Sequence, residues 1–341
     1  MADPNDPHNP GLLPPSPELV PIARAEYPNY YFPRHGRYFP RYRFPPDLQN
    51  AHDAIPLPSV VPIDREDMNR RTMQHNLVHL CLGSHYFGPF QDHLGSPNGK
   101  LVVDIGSDDG RWIEDISEEL PHSIRFHGVE IFPSSPTEAA NNHVRFEVYD
   151  FQREGIRNAE GSVDIIHARF QNIHIQNWDD FLKDVAKCLK PGGLFMSGEF
   201  DISLESPDGR STGVRVIDHM YNQVQRLMVE RGYNPNIGRE MEEKLRTITD
   251  SAGHPLFTNV GSHVYTIPVG VDADHPSQVV REISSLSMDY MRKLAQSLRP
   301  FLLSFGQAQV EVNGLLNEHN YQLERVRAQL RYRCTWAERR A

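Results

Sequence analysis

The chain has 341 residues, of which 38% are hydrophobic, enough to bury one large core or two smaller ones. Lys plus Arg number 35 against 45 Asp plus Glu, a formal charge of −10, which argues against general nucleic-acid binding because phosphate neutralisation needs a basic face. No apolar run approaches the ~18 residues of a membrane span, and Cys81, Cys188 and Cys334 lie too far apart for a disulfide framework or a zinc knuckle.

The start of the chain is Pro-rich and polar rather than built like a secretory signal, so a cytoplasmic or nuclear location is expected. Residues 1–62 hold 15 of the 27 prolines and show no helical or strand period. Residues 1–25 are expected to be a disordered tail. From Tyr27, "YPNYYFPRHGRYFPRYRFP" combines eight aromatics with Arg34, Arg37, Arg41 and Arg43. Such interleaving can stack on bases. An extended strap packed on the main domain is the plainer expectation, part of it covering a pocket.

A helix is predicted from Glu66, with Met73, Leu77, Leu80 and Cys81 on one face and Gly83 as its stop. His75 and His79 share a face at a spacing that suits two metal ligands. The residues between them, Asn76, Leu77 and Val78, supply no glutamate base, so a packed or pocket-lining helix is expected, without metal.

Strand-like runs then recur at 101–106, 124–131, 144–149, 163–168 and 194–200. Between the first two, Trp112, Ile116 and Leu120 repeat every four residues. Between the last two, Trp178, Phe181, Leu182, Val185 and Leu189 form one face, ended by Pro191, Gly192 and Gly193. This alternation predicts an α/β fold, with a doubly wound, mostly parallel sheet and helices on both faces. Further helices are predicted at 212–231, 277–298 and 306–330, and strands at 257–269 and 331–338.

The first strand runs into "DIGSDDGRW", where Gly106 and Gly110 allow a tight turn and close backbone approach. The helix behind it directs unpaired N–H groups towards a ligand. The second strand ends in Glu130, 20 residues after Gly110 (130 − 110 = 20), where an acid can accept both ribose hydroxyls of an adenosine. At the third strand end, Asp150 can accept from an adenine amine and Phe151 can lie against the ring. Each acid can also be a solvated strand end; the three strand ends together point to an adenosine-type cofactor.

With "EDMNRRTMQHNL", "VVDIGSDDGRW", "GVEIFP", "VRFEVYDF", "VDIIHARF" and "CLKPGGLFMSGEF", the chain resembles class I S-adenosylmethionine-dependent methyltransferases, and more narrowly the fungal LaeA-like group, from about Gly36 to Arg339. The resemblance implies a Rossmann-like sheet of seven strands with the last inserted antiparallel. It also implies bound S-adenosyl-L-methionine, with Glu130 at the ribose and Asp150 with Phe151 at the adenine. Asp104, Gly106 and Arg169 would lie near the methionine end, and Ser107, Gly110 and Ile131 are further expected cofactor contacts. Tyr38, Tyr42, Gln74 and His75 would close the pocket from the N-terminal side. The implied organisation is a tail (1–25), a strap and cap helix (26–98), a methyltransferase core (99–270), and a helical cap with the final strand (271–341).

Asp108 stands where family turns carry Gly. It can repel the cofactor's carboxylate, pair with its ammonium or face water; water is expected, as for most charged turn residues. No catalytic residue is assigned, although His167 and His174 lie near the fourth strand end, where a base would be placed. The function expected is methylation of a small molecule in fungal secondary metabolism. The alternative is a LaeA-like regulator or methyltransferase-like partner protein with weak or no catalysis, acting through a protein partner or homodimer. Neither membrane nor nucleic acid is an expected partner.

Overall fold

The computed structural model describes residues 21–41, 59–96, 98–133, 143–270 and 275–341. A 3-10 helix (Arg24–Tyr30) leads into a hairpin of β1 (Tyr31–Arg34) and β2 (Arg37–Pro40). Helices α1 (Arg65–Leu82) and α2 (Phe90–Leu94) precede the sheet. There follow β3 (Leu101–Ile105), α3 (Arg111–Glu119), β4 (Arg125–Glu130), β5 (Val144–Val148), α4 (Phe151–Glu154), β6 (Val163–Arg169), α5 (Trp178–Cys188) and β7 (Leu189–Phe200). The chain ends with α6 (Arg215–Glu230), α7 (Ile237–Thr247), β8 (Phe257–Val269), α8 (Gln278–Leu303), α9 (Gln309–Leu323) and β9 (Ala328–Arg339).

Seven strands form the sheet in the order β5-β4-β3-β6-β7-β9-β8. The first five are mutually parallel, and β9 inserts antiparallel between β7 and β8. The expected fold class is therefore present, with "RYRCTWAE" inside the inserted strand. β3 shows why both faces carry helices. Its side chains alternate, so Val102 packs with Trp112, Ile113 and Ile116, while Leu101, Val103 and Ile105 pack with Phe181, Leu182 and Val185. Each such buried aliphatic side chain contributes about 1.5–3 kcal/mol of transfer free energy.

Several local expectations change. The strap has structure: Arg34-His35-Gly36-Arg37 turns with His35 at φ 48° and Gly36 at φ 76°, the two positive values of a tight hairpin. The tail expected at 1–25 lies largely outside the described residues, and residues 24 and 25 already belong to the 3-10 helix. Leu189 begins a strand instead of ending a helix, and β7 runs through Pro191, Gly192 and Gly193. The last helix stops at Leu323, so β9 starts at Ala328, earlier than expected. Helix α7, with Ile237, Met241 and Leu245 buried at four-residue spacing, had no predicted counterpart.

Asp64 caps α1 by accepting from the Asp67 N–H at 3.1 Å. The same carboxylate takes a two-pronged bond from Arg37 (2.6 and 2.7 Å), which fixes the hairpin to the helix start. At the other end Gly83 adopts the left-handed conformation, φ 67°, as the predicted stop requires.

Candidate cofactor site

A cleft opens over the carboxyl ends of β3, β4 and β6 and the start of α4, roofed by α1. This is where strand order reverses, the place where open α/β sheets bind ligands. Of the expected residues, Gln74, His75, Gly106, Ser107, Glu130, Ile131, Phe151 and Arg169 line it.

The turn after β3 is shaped by backbone. Gly106 sits in the left-handed region at φ 72°, and a Cβ there would lie 2.1 Å from Gln171 Nε2, so any larger residue would be strained and would displace that amide. The Gly106 and Ser107 N–H groups both donate to the Val129 carbonyl, at 2.8 and 3.0 Å. Ser107 Oγ is buried in the cleft wall with no partner among the described residues. Glu130 accepts from the Ile131 N–H (2.7 Å) and the Asp108 N–H (2.8 Å). Burial pushes the Glu130 carboxyl up to about 7, and the Asp108 charge adds to the effect; the two N–H bonds and Arg71 oppose it.

Asp108 corrects the expectation of a water-facing side chain. Its backbone is left-handed, φ 55°, which is why glycine suits this position and why Asp is tolerated better than a branched residue. Its carboxylate pairs with Arg71 on α1. Burial raises the Asp108 carboxyl while Arg71 draws it back. Arg71 also donates to Asp67 (2.7 Å) and to the Pro62 carbonyl (2.9 Å). Burial works against its charge, but Asp108 and Asp67 more than offset this and hold it above the ordinary arginine range. The extra acid in the turn is thus matched by a cation from the cap helix.

His75 is held on both sides. Its Nδ1 meets Arg169 Nη2 at 2.7 Å and its Nε2 meets Asp115 at 2.7 Å. Arg169 can only donate, so Nδ1 accepts and Nε2 carries the proton given to Asp115. Burial, with Arg169 next in size, pushes the ring down to about 2, so it stays neutral. His75, His85 and Asp115 bring ligand atoms within 4.8 Å of one another. The same tautomer occupies the His75 nitrogen that a cation there would need. His79 instead stacks on His85, with centroids 4.0 Å apart.

Some expected residues stand elsewhere. Asp104 does not line the cleft: it is 2% exposed and binds His167 Nδ1 at 2.8 Å. His167 in turn stacks on Trp112 at 3.9 Å and, at 1% exposed, is not among the residues lining the cleft, so it is not placed to act there as a base. Gly110 is the N-cap of α3, at φ 80°, and shapes the turn without lining the cleft. Asp150 caps α4 through the Gln152 N–H (3.1 Å) and pairs with Arg153 (3.2 Å), while Phe151 and Gln152 form the wall. Tyr38 points outward, 52% exposed, and its backbone bonds Ile63 and the Asp64 carboxylate. Tyr42 lies outside the described residues. The strap reaches the site through Tyr31, whose hydroxyl donates to the Pro133 carbonyl (2.8 Å) and whose ring meets Phe132 edge-on.

Other lining residues carried no local signal. Phe170 sits at φ 59°, an uncommon conformation for a bulky side chain, and stacks on Phe200 at 5.4 Å. The loop holding it is fixed by Glu199, which accepts from the Gln171 N–H (2.9 Å) and the Asn172 N–H (3.2 Å). Burial pushes Glu199 up to about 8 against those two bonds. His174 does line the cleft, but desolvation and the charges of Arg71 and Arg70 push it down to about 3, too low for an effective general base near neutral pH.

Residues 79–242 match a family model described as a methyltransferase domain. The chain is 27% identical over 211 residues to methyltransferase pytC of Aspergillus terreus, covering 61% of this chain and 60% of that one. It is 21% identical over 251 residues to the secondary metabolism regulator laeA of Aspergillus fumigatus, covering 72% and 63%. It is likewise 21% identical over 243 residues to protein-methionine methyltransferase laeA of Emericella nidulans, covering 71% and 61%. This chain therefore spans about three fifths of the length of these relatives. With the inserted antiparallel strand and the glycine turn, residues 79–242 thus match a methyltransferase domain, and the chain is similar to the fungal pytC and laeA proteins.

Proposed function

We propose that the cleft binds S-adenosylmethionine and that the chain transfers its methyl group to a small-molecule acceptor in fungal secondary metabolism. The observation that carries this is the gathering of Gly106, Ser107, Glu130 and Phe151 on one wall from successive strand ends. The fit is chemical as well as spatial. Ser107 Oγ is a buried donor with no partner among the described residues, and Glu130 keeps lone pairs beyond its two N–H bonds. When bound, the cofactor supplies an electrophilic methyl on a sulfonium.

In this proposal Glu130 accepts from the ribose hydroxyls, and Ile131 and Phe151 flank the adenine. Asp150 acts by fixing the start of α4 and so the Phe151 ring. Arg169 and Gln74 face the methionine end from the opposite wall. Arg71 neutralises Asp108, so that acid need not repel the methionine carboxylate. With His167 committed to Asp104 and His174 so weak a base, rate comes from positioning and exclusion of water rather than proton abstraction.

A second reading, action on or through a protein partner, is favoured by the similarity to a secondary metabolism regulator and to a protein-methionine methyltransferase. Incubating the full chain and fungal extract with cofactor labelled in its methyl group separates the two. Label should enter the solvent-extractable small molecules, and Glu130→Ala should abolish most of it. Label confined to precipitated protein would contradict the small-molecule proposal.

A further inference from the structure

Behind the cofactor cleft lies a second pocket, between the sheet end and helices α6 and α8. The two cavities share Arg70, Gln74, Phe170 and Ile173 as a common wall. Much of the chamber's remaining lining is aliphatic, including Val60, Ile202, Val224, Met228 and Leu294. Its charged side chains already have partners. Arg70 donates to both oxygens of Asp67 (2.8 and 3.0 Å) and to Gln74 Oε1 (2.7 Å). Asp201 is held by Arg333 (2.7 and 3.1 Å) and Arg239 (2.7 Å). Tyr221 meets His319 Nε2 at 3.3 Å.

We infer that this chamber receives the methyl acceptor, and that the acceptor is a neutral, mainly apolar molecule. This rests on the adjoining cleft being the cofactor site. The reason is one of compensation. A charged acceptor would have to be stripped of water in a chamber whose Arg70 and Asp201 are already neutralised, and an unpaired buried charge is strongly unfavourable. A neutral ring or aliphatic body gains from the same walls. Polar guidance is confined to the shared wall. Because Gln74 Oε1 accepts from Arg70, its amide NH₂ is the end left to meet an oxygen or nitrogen of the acceptor. The acceptor's nucleophile is thereby drawn to the cofactor side and its apolar body to the aliphatic side.

The test is calorimetric titration of the full chain with 2-naphthol and with 2-naphthoate, its anionic counterpart, in the presence of S-adenosylhomocysteine. Naphthol should bind at least about tenfold more tightly than naphthoate. Leu294 lines the chamber but not the cleft, so Leu294→Trp should weaken naphthol binding about tenfold or more and leave S-adenosylhomocysteine within about twofold. Should that variant not fold, Leu294→Phe should give a smaller loss in the same direction. Equal binding of naphthoate, or naphthol binding indifferent to both substitutions, would overturn the inference. So would displacement of naphthol by a capped methionine peptide, which would give the chamber to a protein side chain. Failure of the wild type to bind S-adenosylhomocysteine would overturn the cofactor proposal itself and this inference with it. Titrating S-adenosylhomocysteine alone therefore tells the two failures apart.

Discussion

Asp108→Asn tests the link between the glycine turn and the cap helix. The Arg71 side chain is 8% exposed and that of Asp108 31%, so the pair is only partly screened. At salt-bridge contact and an effective dielectric near 20, the direct attraction is on the order of 5 kcal/mol. Two effects reduce what is lost. Arg71 keeps Asp67 and the Pro62 carbonyl, and the substitution relieves repulsion between Asp108 and Glu130. The expected net destabilisation is about 2–3 kcal/mol near pH 7 by urea unfolding followed by circular dichroism. It should shrink as pH rises from 6 to 8, because Glu130, held near 7, ionises beside Asp108 and increases the relief. Asp108→Ala should lose about 1 kcal/mol more than Asn, since Ala tolerates φ 55° less well. In a double-mutant cycle with Arg71→Gln the coupling should be about 2 kcal/mol. Coupling below about 0.5 kcal/mol would refute the ion pair and return Asp108 to solvent.

Glu130 should make the free protein and its complex respond to pH in opposite directions. Its folded pKa is raised, so its stabilising contribution is full below the unfolded value and is lost as pH rises through about 7. Glu130→Gln should flatten that fall, which amounts to up to about 3 kcal/mol. Cofactor affinity should rise over the same window, since the ionised carboxylate is the better acceptor for ribose hydroxyls, and Gln should flatten this as well. Removing residues 1–20 should leave unfolding and cofactor affinity nearly unchanged. Removal through Arg41 should lower both, because Tyr31 buttresses Phe132 and Arg37 holds the α1 cap. Arg37→Ala alone should cost about 1–2 kcal/mol in thermal or urea unfolding; no change would detach the strap from the helix start.

The sheet was legible because its signals are local. Alternating apolar runs and amphipathic helices recorded β3 to β7, and the glycines of the turn recorded its curvature. The acids at strand ends needed more than spacing. Glu130 is where the pattern put it, whereas Asp104 and Asp150 carry the expected residue type but turn to His167 and to the start of α4. A side chain's direction depends on neighbours far along the chain. Arg71 meets Asp108 across 37 residues, and no local pattern in "NRRTMQH" marks which arginine does so. Phe170 and Glu199 were hidden for the same reason: one is defined by a backbone angle, the other by two N–H groups 28 and 27 residues earlier. The strap hairpin was readable in His35-Gly36, but the surrounding prolines masked it.

The central claim is tested most directly by titrating S-adenosylhomocysteine into the full chain and into Glu130→Ala by calorimetry. The wild type should show one site with a dissociation constant on the order of micromolar, and Glu130→Ala should weaken it by about 1.5–3 kcal/mol, roughly 10- to 150-fold. No heat from the wild type at millimolar ligand, or equal affinity in the two proteins, would contradict the assignment of this cleft as the cofactor site.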